Sequence, residues 1–168
     1  NALIGWTFVL PNFLGFAVLT LVPVIAVFYL SFTGWNVFGQ APWVGLDNFT
    51  RMLGDASFHR ALLNTLYYSG LHIPLTLVAS LGLALLLNQK LRGVAFFRTA
   101  AFFPYITSMV AIAVVWNMLF SPETGPINQF LGLFGIEGPG WTTSATWAMP
   151  AVVIVGVWRE MGYFMVLF

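Results

Sequence analysis

Residues 2–32 contain no charged side chain, and none lies between Arg60 and Lys90. A hydrocarbon core of ~30 Å is crossed by about 20 consecutive apolar residues in a helix. Both runs exceed that length. The whole chain is 60% hydrophobic and 7% charged, whereas a soluble domain carries roughly 25% charged residues. So few charges do not cover a water-facing surface, and the sequence predicts an all-α, polytopic membrane protein with about four transmembrane helices. The near-zero net charge gives no electrostatic case for nucleic acid. With no cysteine there is no disulfide framework, thiolate catalyst or Cys-type metal site. No other metal site is expected, and no catalytic residue.

The whole chain, 1–168, reads as one membrane domain with spans at about 10–32, 61–88, 99–120 and 148–168. In the first, Pro11 and Pro23 each remove a backbone donor, so a kink or short break is expected near each. Its membrane part is placed from about Pro11 to Ser31. The run is too long for a signal-peptide core. In the segment that follows, Trp35 and Trp43 suit a membrane–water boundary. Residues 46–54 read as a short surface helix with Asp47 as N-cap and Gly54 as C-cap, and Phe49, Met52 and Leu53 form its apolar stripe.

The second span holds Asn64, His72 and Pro74. His72 reads either as a proton relay, or as a histidine that bonds a neighbouring helix or sits near the outer interface. The second reading is preferred, because no acid lies at helical spacing from it. Gly70, Ser80, Gly82 and Ala84 are candidates for close helix packing. The connection from Asn88 to Arg98 holds Lys90, Arg92 and Arg98 and no acid, whereas residues 121–147 hold Glu123 and Glu137 and no base. The positive-inside rule puts the basic connection in the cytoplasm and the loops at 33–57 and 121–147 outside.

In the third span Pro104 sits early and is expected to disturb the first turns. Tyr105, Thr107 and Ser108 follow at once. They read either as pathway groups beside a freed backbone or as hydroxyls bonding back to their own helix. Residues 127–133 suggest a short amphipathic helix, and Trp141 and Trp147 suggest interface anchors. The fourth span starts near Ala148 and carries an adjacent Arg159 and Glu160. Counted from Ala148, Arg159 lies about 16 Å along the helix at ~1.5 Å per residue. A charge at that depth is costly, about 2.5–3.5 kcal/mol by insertion scales. Adjacent side chains diverge by about 100° on a helix, so the two are not expected to cancel face to face. Arg159 shares a face with Val155 and Tyr163; Glu160 shares one with Gly156 and Phe164. Three readings stay open: the pair and Tyr163 line a solute pathway, the pair ties helices together, or Glu160 couples protons.

Three stretches together resemble a known family. They are Ser31-Phe32 followed by Trp43-Val44-Gly45-Leu46-Asp47-Asn48-Phe49; Leu91-Arg92-Gly93-Val94-Ala95-Phe96-Phe97-Arg98-Thr99 leading to Phe103-Pro104-Tyr105; and residues 158–168. The pattern is similar to the permease subunits of binding-protein-dependent carbohydrate ABC importers, of the maltose and glycerol-3-phosphate type. The resemblance implies an N-terminal part of a roughly six-helix permease core, with the Glu-Ala-Ala coupling loop expected beyond Phe168. It implies these partners: a second permease subunit, two cytoplasmic ATPase subunits that carry ATP and Mg, an external solute-binding protein docking on the 33–57 and 121–147 loops, and a sugar. No cofactor is expected in this chain itself. The implied location is a bacterial or archaeal cytoplasmic membrane. The implied substrate pathway runs past Tyr105, Met109, Gly156, Arg159, Glu160 and Tyr163, and Ser108, which follows Pro104, is added to it from the residue reading. Maltose-type members carry neutral residues where Arg159 and Glu160 stand.

Overall fold

The computed structural model describes residues 2–36, 39–89 and 93–168, with side chains from Trp6 onward. Every regular element among them is helical, in the order α1 (Ala2–Phe16), a π-helical turn (Ala17–Leu21), α2 (Val22–Leu30), α3 (Asp47–Gly54), α4 (Ala56–Leu87), α5 (Val94–Ile106), α6 (Met109–Leu119), α7 (Pro126–Gly132) and α8 (Ala148–Leu167). The protein is a multi-pass membrane protein. Trp6–Leu30, α4 and α8 are each long and apolar enough to cross a bilayer, and α5 with α6 adds a fourth, sharply bent crossing. The chain divides into two compact units, Asn1–Ala61 and Leu62–Phe168.

In the first unit, the prolines do not break the helix. Pro11 lies inside α1. Pro23 is met by the π turn just before it. A proline ring crowds the preceding turn and lacks an N–H, and widening that turn lets the helix continue through Leu30. The helix therefore starts well before the position expected from Pro11.

Beyond Leu30 the chain turns and returns. Thr33 pairs with Trp43 in an isolated antiparallel bridge. The Trp43 ring stacks on Phe32 at 5.5 Å, and Phe49 of α3 packs on the same Phe32 at 5.3 Å. Gly45 takes a left-handed φ of 61°, which favours glycine and starts the turn into α3. The Asn48 amide then donates to the Ser31 and Thr33 carbonyls at 2.8 and 2.9 Å. Ser31 is the C-cap of α2, where a carbonyl has no helical donor, and Thr33 lies in the turn beyond it. Asp47 does not cap α3. Leu46 holds the N-cap position with no side-chain bond, and Asp47 instead accepts from Arg51 at 3.1 Å one turn later. Gly54 is the last helical residue, not the cap. Replacing Asn48 with Leu removes both amide bonds and strands two carbonyls. At ~1 kcal/mol per bond, we expect roughly tenfold or greater protease sensitivity in the 33–46 segment, read by limited proteolysis of the protein in detergent.

Helix α4 begins before the expected span. Asp55 accepts from the Ser57 N–H at 2.8 Å, the geometry of an N-cap. The basic connection after α4 lies partly outside the described residues, at Lys90, Leu91 and Arg92. Its last cation is described: Arg98 donates to the Leu87 carbonyl at 3.2 Å, where a cation suits a helix C-terminus.

The third crossing differs most from expectation. It is not one helix disturbed in its first turns but two helices meeting at 101°. Pro104 sits buried in the last turns of α5. Thr107 and Ser108 are extended, with ψ of 147° and 128°, and the bend falls there. The Thr107 hydroxyl bonds back to the Phe103 carbonyl at 2.9 Å, so for Thr107 the local reading is correct. After α6, Asn128 of α7 ties the loop together. It donates to the Pro122 and Pro139 carbonyls at 3.2 and 3.3 Å, and accepts from Trp141 Nε1 at 2.7 Å. Trp141 also stacks on Phe120.

Candidate functional site

The site grows from two glycines on α8. Gly162 is buried, and a Cβ there would overlap the carbonyl of Ala101. With no side chain, α8 comes directly onto the α5 backbone, and this is the principal helix–helix contact of the unit. Tyr105 lies one turn beyond Ala101. It therefore meets Tyr163, next to Gly162, and the two rings stack at 4.3 Å with 17° between planes. The Arg159 guanidinium, one turn before Tyr163, sits 5.4 Å from the centre of the Tyr105 ring, within cation–π range.

Gly156 faces α4 and leaves room for its side chains, not its backbone. A Cβ there would meet His72 Nε2 at 2.8 Å and the Tyr68 hydroxyl at 2.9 Å. Tyr68 and His72, one turn apart, stack at 4.8 Å against this opening. Glu160, one turn beyond Gly156, reaches the same histidine: its Oε2 lies 3.6 Å from His72 Nε2. The other carboxylate oxygen is 3.7 Å from Arg159 Nη1. The face with Gly156 and Glu160 thus meets α4, and the face with Arg159 and Tyr163 meets α5.

One expectation is corrected by this geometry. Arg159 and Glu160, though adjacent, do approach each other, to 3.7 Å. His72 has no acid at helical spacing on α4, as expected, and meets one on the neighbouring helix α8. That contact escapes any search along one helix, since the partner belongs to α8. Both separations exceed hydrogen-bond distance, so the carboxylate is shared loosely. His72 Nε2 and Arg159 Nε are buried without a hydrogen-bond partner.

Tyr105, Gly156, Arg159, Glu160 and Tyr163 therefore gather in one cluster, joined by Tyr68 and His72, which were not among the expected pathway residues. Met109 lies beside it, lining a cavity of about 320 Å³ with Tyr68, Trp116, Asn117, Val155 and Gly156. Ser108 sits exposed at the bend and is not brought into the cluster. Of the small residues on α4, Ser80 is fully buried and donates to the Thr76 carbonyl at 2.6 Å. Gly70 and Gly82 have open space where a side chain would go. No cluster of three or more metal-ligating side chains occurs among the described residues.

No protein-family model matches the chain. Known proteins do. The chain is 34% identical to the probable ABC transporter permease protein YesP of Bacillus subtilis (strain 168), over 99% of this chain and 54% of that protein. It is equally identical to the lactose transport system permease protein LacF of Rhizobium radiobacter, over 98% of this chain and 55% of the relative. Along nearly its whole length the chain is similar to ABC transporter permeases. A solved bacterial ABC transporter involved in the import of the acidic polysaccharide alginate has the same fold. There the TM-score is 0.79 at 26% identity, covering 98% of this chain and 55% of that one. The chain spans about half the length of the curated relatives it matches.

Proposed function

We propose that this permease is the membrane-spanning subunit of an ATP-driven importer, passing a sugar or sugar derivative from an external binding protein across a bacterial or archaeal cytoplasmic membrane. The observation that carries the reading is the near-complete alignment with sugar permeases, lactose transport among them. A solved alginate importer in complex with its substrate-bound periplasmic protein shares the fold at a TM-score of 0.81, which accords with an external partner of that kind. In this reading ATP and Mg reside on two separate cytoplasmic ATPase subunits, a second permease subunit completes the pathway, and this chain performs no chemistry itself. The basic connection around Arg98 faces the cytoplasm, and the loops at 33–57 and 121–147 face the binding protein.

The pathway residues are Tyr105, Met109, Gly156, Arg159, Glu160 and Tyr163; Ser108 lies outside their cluster at the bend. The stacked tyrosines offer an aromatic surface to a sugar ring, and Arg159 and Glu160 offer donors and acceptors to its hydroxyls. Affinity is modest, because a conducted solute must also leave. Uptake by the intact system is expected to stop when ATP hydrolysis is blocked and to continue when the proton gradient is collapsed. Uptake that persists without hydrolysis and dies with the gradient would instead make Glu160 and His72 the coupling groups of a secondary transporter.

A further inference from the structure

We propose that α7 is a membrane-surface anchor, with Phe130, Leu133 and Phe134 seated among the lipids at the headgroup–acyl boundary. The inference goes beyond the importer reading and does not depend on the solute carried.

The polar residues of α7 are turned back onto its own loop. Asn128 is held by the Pro122 and Pro139 carbonyls and by Trp141 Nε1, and Gly138 leaves the space that the Asn128 side chain fills. Gln129 donates to the Thr124 carbonyl at 3.2 Å. The other side carries Phe130, Leu133 and Phe134, whose i, i+3, i+4 spacing puts them on one helical face. Leu133 is 81% exposed and Phe134 67%. The Phe130 and Phe134 rings pack edge to face at 5.3 Å, and Ile136 is exposed as well. Residues 124–136 carry no charge, and Glu123 and Glu137 stand exposed at their two ends. A contiguous apolar patch with a charged rim marks a contact with lipid or protein.

Depth decides for lipid. Trp141, which bonds Asn128, stacks on Phe120 at 5.2 Å, where α6 ends. The same indole meets Trp147 edge to face at 5.4 Å, where α8 begins. One side chain thus ties α7 to the ends of two membrane-crossing elements. Tryptophans concentrate at the membrane–water boundary. An element fixed at that level with its apolar face outward buries the face in the lipid interface. Glu123 and Glu137, the only charges in residues 121–147, then mark the aqueous side of the loop.

The test uses the full-length permease, with the subunits that co-purify with it, in phosphatidylethanolamine–phosphatidylglycerol vesicles. This chain has no cysteine, so Leu133→Cys, Phe134→Cys and Glu123→Cys each take one nitroxide label once cysteines elsewhere in the complex are removed. Collision of the label with oxygen, which partitions into lipid, is compared with collision with a nickel chelate, which stays in water. We expect oxygen to lead at least threefold at positions 133 and 134, and the chelate to lead at 123. A lead for the chelate at 133 and 134 overturns the proposal. Exclusion of both probes there overturns it too, because protein then covers the face. In a second measurement p-benzoylphenylalanine replaces Phe134 and is photolysed in the same vesicles, with the external binding protein added. A permease that gains the mass of one phospholipid is expected. The lack of that adduct, or a crosslink to another polypeptide in its place, overturns the proposal even where a cysteine variant fails to assemble.

Discussion

Replacing Gly162 with valine is expected to lower the yield of assembled permease at least tenfold. The new Cβ would occupy the space of the Ala101 carbonyl, and that atom belongs to the α5 backbone, not to the end of a flexible side chain. Relief requires α5 and α8 to separate. Overpacking costs about 1–3 kcal/mol where side chains can adjust, and a rigid helix backbone puts this site at the upper end. About 1.4 kcal/mol is already a factor of ten. The matched control is Gly70→Ala, whose side chain meets open space and whose helix propensity improves by up to ~1 kcal/mol. Fluorescence-detected size exclusion of the tagged full-length complex reads both. Normal assembly of the valine variant would mean that α5 and α8 are not held by this contact.

Removing the Glu160 charge is expected to cost uptake more than any other single change in the cluster. In Glu160→Gln the guanidinium of Arg159 loses its only anionic neighbour among the described residues, and a bare Arg in a span costs about 2.5–3.5 kcal/mol. His72 loses its partner as well. We expect uptake to fall by more than tenfold. The double variant Glu160→Gln with Arg159→Met removes both charges together, so it should assemble as well as the wild type. On the importer reading its uptake should stay low, because the polar groups proposed to face the solute are gone. A double variant with full uptake would make the pair a helix tie and nothing more. Quantified surface expression beside initial uptake rates separates these outcomes.

What the sequence made readable follows from cost. Long uncharged runs have few alternatives to membrane helices, so the all-α, multi-pass architecture was plain. Arg159 and Glu160 stood out because charge in such a run is expensive. Distances between helices were not readable. His72 meets Glu160 across two helices, its ring end lying against Gly156, and no spacing within one helix reports that. Pro104 announced irregularity in the third span but not its form. The large bend arises at Thr107 and Ser108, where the chain becomes extended after the proline. Asp47 looked like a cap by residue type, yet it lies one position inside α3, where an i,i+4 partner at Arg51 claims its carboxylate. The importance of Gly162 carried no sequence signal of its own, since a glycine against a carbonyl and a glycine facing open space are written with the same letter.

The Asn48 amide has a consequence for what can vary in this region. It fastens points 17 residues apart in sequence, so the chain between them is a closed loop with its ends fixed. The entropy of closing a loop rises only logarithmically with length, and doubling it costs only about 0.6 kcal/mol. Extra residues inserted between Trp35 and Pro42 would therefore change the stability of this end of the span very little. Exchanging one amide group at position 48 would change it more. The segment is tolerant of length and intolerant at its lock.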